Sequence, residues 1–116
     1  MTRQQVLQYV NEEYATVTQR LWLKYPNYEV LRHENGGKWY GVIMDVPQKK
    51  IGLEGDKVID VLVLKGKPED VVHICDMKGF APGYHMNKKH WFTVVLEEVE
   101  ERVICELIDK SYELTK

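Results

Sequence analysis

Apolar residues recur along this chain with two different periods, and the places where the period changes mark its elements. Thr2-Arg3-Gln4-Gln5 fits a capping box, in which the Thr2 hydroxyl accepts from a first-turn N–H and Gln5 reaches back. Val6, Leu7, Val10 and Tyr14 follow at helical spacing and predict a helix over about residues 3–13. An irregular stretch carrying Leu21, Trp22 and Tyr25 comes next, and Pro26 disfavours helix in the residue before it. Tyr28–His33 and Lys38–Val46 are rich in β-branched and aromatic residues and predict two strands. Between them lies Glu34-Asn35-Gly36-Gly37, and Asn-Gly supplies the positive φ angles of a tight hairpin turn.

A loop with Pro47, Gly52 and Gly55 leads to a third strand, Val58–Leu64, with Ile59, Val61 and Val63 on one face and Asp60 on the other. Lys67-Pro68-Glu69-Asp70 starts a second helix, since Pro suits the first helical position and acids suit the positive end of the dipole. Val71, Ile74 and Cys75 form its expected buried stripe and Gly79 its end. Phe80–His90 reads as a loop with a short extended piece at Tyr84–Met86, and Trp91–Leu96 as a strand. From about Val99 a last helix turns Val103, Ile104, Leu107 and Ile108 inward. The order α-βββ-α-β(β)-α lacks strand–helix alternation along its whole length. It predicts a single α+β domain, 1–116, with an antiparallel sheet and helices packed on one face.

The chain has 116 residues, 44% hydrophobic and 29% charged, which excludes a disordered or fibrous class. No apolar run approaches the roughly 20 residues of a membrane span, and MTRQQVLQYV lacks the apolar core of a signal peptide. A cytoplasmic protein with no membrane partner is expected. Cys75 and Cys105 both sit in apolar helical stretches without CxxC spacing, and read as small buried hydrophobes. Charge divides by region: residues 1–95 carry 13 Lys/Arg against 11 Asp/Glu, and residues 96–116 carry three against seven. The acidic balance belongs to the last segment, which leaves room for a basic patch elsewhere.

Familiar catalytic patterns do not assemble. His33, His73, His85 and His90 show no HxxxH or HxH arrangement, and no Cys lies at ligand spacing, so neither a metal nor another cofactor is expected. Glu97, Glu98, Glu100 and Glu101 read as a solvated helix start. The glycines belong to a hairpin and a loop rather than to a phosphate cradle, and the only serine, Ser111, lies in the last helix. What remains is His85-Met86-Asn87-Lys88-Lys89-His90-Trp91, with two lysines, two histidines, an amide and an indole and no acid. Arg32, His33, Asn35, Lys38, Trp39 and Tyr40 form a similar set at the first hairpin. Cations neutralise phosphates, an amide reads base edges, and rings stack on bases. The competing reading makes Trp39 and Trp91 core residues and the lysines solubilising.

Several stretches carry a family resemblance: RHENGGKWY, IGLEGDKVIDVLVLKG, GFAPGYHMNKKHWFTVVL and LIDKSYELT. They are similar to the MmcQ/YjbR family of small bacterial proteins over about Tyr25–Thr115. Asn87-Lys88-Lys89-His90-Trp91 followed by Ser111-Tyr112 is the most specific part. The resemblance implies an α+β fold similar to the bacterial frataxin homologues, CyaY-like, with a double-wing arrangement, and a DNA-binding role. It also raises iron binding, but such proteins use an acidic first helix, and here that helix offers only Glu12 and Glu13 at its end.

Two functions are therefore expected to compete. In the first, a non-enzymatic DNA-binding domain uses Arg32, Lys38, Lys88 and Lys89 on phosphates. Asn87, His90 and Trp91 then contact bases or fix the loop, and His33, Trp39 and His85 belong to the same nucleic-acid-binding surface. In the second, a small ligand or substrate occupies a cleft lined by His33, Tyr84, His85 and His90. A third reading uses exposed aromatic residues of segment 21–28 to hold a protein partner.

Overall fold

The computed structural model describes residues 1–34 and 36–116; Asn35, the turn residue named above, lies outside them. The elements are α1 (Arg3–Tyr14), β1 (Glu29–Arg32), β2 (Trp39–Pro47), a 3-10 turn (Gln48–Ile51), β3 (Val58–Lys65), α2 (Pro68–Ile74), β4 (Phe80–Pro82), β5 (Trp91–Val95) and α3 (Glu101–Leu114). The strands form one antiparallel sheet in the order β1-β2-β3-β5-β4.

The capping box at Thr2 is present in both halves: Gln5 N–H donates to Thr2 Oγ1 at 3.2 Å, and Thr2 N–H donates to Gln5 Oε1 at 2.8 Å. The helix ends where Ala15 turns left-handed, at φ 52°. Arg3 ties α1 to the sheet, donating to Glu29 at 3.0 Å, to Asp60 at 2.9 Å and to the Asn27 carbonyl at 2.6 Å. Alternation along the strands then sorts the core into two layers. Leu31, Tyr40, Ile43, Leu62, Leu64, Phe92 and Val94 face Val6 and Val10 of α1, Val71 of α2, and Ile104 and Ile108 of α3. Val30, Val42, Met44, Val46, Val61, Val63, Trp91 and Val95 face the other way.

That second face is not open to water. Irregular segments cover it, contributing Trp22 and Tyr25, then Ile51 and Leu53, then Tyr84 and Met86. The aromatic residues of segment 21–28 are consequently half-buried at Trp22 and Tyr25. They line this second core instead of standing free for a partner. Burial of both faces explains why β3 reads as a nearly continuous apolar run.

Three boundaries differ from expectation. The helix α2 stops at Ile74, and Asp76 and Met77 continue as turns whose N–H groups donate back to His73 and Ile74. Gly79, at φ 89°, instead opens the extended piece, which lies at Phe80–Pro82 and not at 84–86. Pro82 fits there because β4 is an edge strand and needs no N–H on its outer side. The last helix begins at Glu101, after a turn in which Glu98 N–H donates to the Val95 carbonyl at 3.0 Å.

One irregularity positions the site. Leu31 pairs with Gly41 and Arg32 with Trp39, so Tyr40 is an extra residue in β2. This bulge lets Tyr40 and Gly41 both look toward the helices. A Cβ on Gly41 would come within 2.9 Å of Leu31 and 3.1 Å of Leu64. Trp39 is thereby turned to the second face, where it meets Trp22 edge-on at 5.7 Å.

Candidate nucleic-acid interface

The strands β2 and β5 run parallel, two places apart, so Trp39 and Trp91 begin them at the same end of the sheet. Register fills the space between. Arg32 is opposite Trp39, and Lys65 is opposite Trp91 on the same face as Val61 and Val63. The result is a row across four strands, Arg32–Trp39–Lys65–Trp91, which contains cations and indoles and no acid. The Lys65 ammonium lies 5.8 Å from the Trp91 ring centre, within cation–π reach. The loop 83–90 closes over this end, and no acid occurs between Asp76 and Glu97. Of the two sets singled out in the sequence, Arg32 and Trp39 from the first share this row with Trp91 from the second.

Individual side chains differ in how free they are. Arg32 is engaged: its guanidinium donates to the Gly37 carbonyl at 2.6 Å, the Gly36 carbonyl at 2.9 Å and Gln19 Oε1 at 3.4 Å. It braces the hairpin. Asn87 is engaged as well, its Oδ1 accepting from Lys89 N–H at 2.9 Å while its carbonyl accepts from the N–H groups of His90 and Trp91. It fixes the loop. Trp91 is 9% exposed and packs in the second core, so stacking on a base would require unpacking it. His90 is half-buried, with its carbonyl accepting from Gly66 N–H at 2.9 Å.

His33 faces the helical side. Its Nε2 lies 2.8 Å from Thr115 Oγ1, and its ring lies 4.2 Å from Tyr112 and 5.2 Å from Tyr40. Thr115 Oγ1 donates to the Ser111 carbonyl, so the histidine nitrogen is the donor between them. Burial holds the His33 imidazole below its ordinary pKa. It is a strut under α3 rather than a contact of the basic row.

Lys38, Lys88, Lys89 and His85 are exposed, and Trp39 is half-buried. Lys88 Nζ donates one hydrogen bond to the Gly83 carbonyl at 3.2 Å, which aims the ammonium and leaves two N–H bonds for a ligand. His85 holds a left-handed backbone, φ 59°, a conformation uncommon outside glycine. Its ring leans on Tyr84 at 4.0 Å and Tyr25 at 5.9 Å. Beneath it, burial pushes the Tyr28 hydroxyl up to about 12, with Tyr84, Tyr25 and Asp45 adding to the shift. Lys65 was missed from the sequence although the period of VIDVLVLK places it in phase with Val61 and Val63. Lys24, 5.8 Å from the Tyr25 ring, lies in a stretch without periodicity and gave no signal.

A cleft of about 830 Å³ lies between α2 and α3, and none of His33, Tyr84, His85 and His90 lines it. A depression of about 300 Å³ beside the hairpin includes His33 but none of the other three. Among the described residues no three His, Cys, Asp or Glu side chains converge as a metal site. None of the described helices is long and apolar enough to cross a membrane.

The sequence and fold have known relatives. YyaQ of Bacillus subtilis (strain 168), an uncharacterized protein, is 44% identical over 117 residues, covering all of this chain and 99% of YyaQ. YbdF of Escherichia coli O157:H7, also uncharacterized, is 53% identical over a 34-residue stretch, 28% of each chain. A crystal structure of a Pseudomonas syringae protein superposes with a TM-score of 0.97 at 44% identity, over 100% of both chains. The Deinococcus radiodurans protein DR2400, of the domain family DUF419, shares the fold at a TM-score of 0.73 and 24% identity, over 97% of this chain and 77% of DR2400. With the YjbR family model matching residues 12–114 as well, the chain belongs to the YjbR family.

Proposed function

We propose that this chain is a non-enzymatic DNA-binding domain that contacts the phosphate backbone with the end of the sheet where β2 and β5 begin. One observation carries the reading: register and the β2 bulge align Arg32, Trp39, Lys65 and Trp91 on one face, flanked by exposed Lys38, Lys88 and Lys89. Each free ammonium neutralises a phosphate and releases its counterions. The β1–β2 hairpin and the loop 83–90 act as the two wings, and Arg32 and Asn87 hold their shape. Base recognition falls to His85 and the exposed edge of Trp39. Two thiols left unpaired suit a reducing compartment such as the cytoplasm.

The test is a titration of labelled duplex DNA at about 50 mM and about 200 mM salt. The expected dissociation constant at physiological salt is about 1–100 μM, typical of non-specific binding, tightening at low salt. Replacing Lys38, Lys88 and Lys89 together by Glu should weaken binding more than tenfold while the melting temperature stays within a few degrees. Absence of binding at micromolar protein and about 50 mM salt would refute the reading. Equal binding by the triple variant would refute the assignment of the face.

A further inference from the structure

On the opposite side of the sheet, a cleft of about 830 Å³ separates α2 from α3, a volume suited to a small molecule. Its floor is apolar: Phe92 rises from β5, with Ile74 on one wall and Leu107 on the other. Gly66 lets the main chain pass close to this floor, since a Cβ there would crowd Val71 at 3.1 Å and Phe92 at 3.2 Å.

The rim carries charges of both signs. Helical spacing puts Lys67, Asp70 and His73 along the side of α2 that faces the cleft, and Leu107, Lys110 and Glu113 along that of α3. The α2 wall thus carries Lys67 and Asp70, and the α3 wall carries Lys110, Glu113 and Asp109, the last already accepting hydrogen bonds from Tyr9 and Tyr14. Among the described residues, Lys67, Asp70 and Lys110 take part in no ion pair, whereas Glu113 meets Lys116 at 3.2 Å. Asp70 and Lys110 are therefore opposite charges on opposite walls, each without a protein counter-ion, above a greasy floor.

We propose that this cleft binds a small zwitterion with an apolar body, a free amino acid with an aromatic or large aliphatic side chain. The side chain lies on Phe92, Ile74 and Leu107, the ammonium faces Asp70, and the carboxylate faces Lys110. Simple anions such as fatty acids or nucleotides would bring their charge against Asp70 and Glu113. An uncharged apolar ligand would leave both unpaired charges unused. The cleft borders the nucleic-acid face at Lys65, which lines both, but the side chains proposed to hold the amino acid are not among those proposed to meet phosphate, so the two readings are tested separately.

The experiment is an amide-shift NMR titration of the full chain with L-phenylalanine, repeated with 3-phenylpropionate and with phenethylamine. Saturable shifts at Gly66, Ile74, Leu107 and Lys110 are expected, with each analogue at least about tenfold weaker, a factor worth about 1.4 kcal/mol. Asp70→Asn and Lys110→Gln, both surface changes that leave the core intact, should each weaken L-phenylalanine by a similar factor. The proposal is overturned if no saturable shift appears up to about 10 mM, far above any useful affinity. Shifts that map away from the cleft overturn it, as does an analogue that binds as well as the zwitterion.

Discussion

Arg3 does more than begin a helix. Its guanidinium satisfies two carboxylates at once, and one of them, Glu29, is only 5% exposed. Removing one partner of such a set leaves a buried charge short of its counter-ion, which costs more than the pair contributes when whole. Thr18 at 2.8 Å and Arg20 at 3.8 Å still hold Glu29, so the loss should be moderate. Arg3→Ala is expected to destabilise by about 2–3 kcal/mol in urea unfolding, measured near neutral pH. His33 gives a pH dependence of definite sign. Burial lowers its pKa, so below about pH 6.5 the unfolded chain binds more protons than the folded one. Its contribution to stability is complete above that value and is lost as the pH falls through the folded pKa. His33→Gln should flatten the stability profile between about pH 7 and 5. An unchanged slope in the variant would show that another group is responsible.

At the scale of elements, the regular parts were legible because each carries a period that burial imposes. The sequence signals for α1, β3 and β5 coincide with the elements to within a residue or two, and β1 and β2 emerge where β-branched and aromatic residues cluster. The β2 bulge was not legible, because an extra residue leaves no mark in a strand rich in apolar residues on both faces. Nor was β4, three residues long, where neighbours rather than propensity decide the pairing. The cover of the second face was hidden for a related reason: loops pack their rings without any spacing that a pattern could reveal. Of the site, the cations and rings themselves were readable, but which of them is free was not. Arg32 and Asn87 look like ligand contacts in sequence and serve as braces in the fold. Gly83 tests how tightly the loop 83–90 is seated. A Cβ at that position would lie 2.8 Å from the Trp91 carbonyl oxygen, which is main chain and cannot swing away. Gly83→Ala should cost about 1–3 kcal/mol and lower the melting temperature by several degrees. A neutral outcome would mean that the strand start at Trp91 yields easily.

For the molecule as a whole, the net charge of −2 conceals a segregation that matters for binding. Four of the acids lie just before and at the start of α3, outside the basic row, at Glu97, Glu98, Glu100 and Glu101. Binding driven by the free lysines should therefore be lost steeply with salt. Plotting the logarithm of affinity against that of salt concentration should give a slope of about −0.9 for every phosphate neutralised. Single replacement of Lys38, Lys88 or Lys89 by Gln should reduce that slope by about one. A slope unaffected by all three would remove them from the contact.

The sheet sealed on both sides has a further consequence. A loop that lies on top of a core is already ordered before any partner arrives, because Tyr84 and Met86 anchor the underside of the segment that displays Lys88 and Lys89. Docking a polymer there would freeze few additional bonds, and it would remove little oily area from water. Calorimetry should accordingly record a small change in heat capacity, in contrast to domains whose recognition arms fold as they bind.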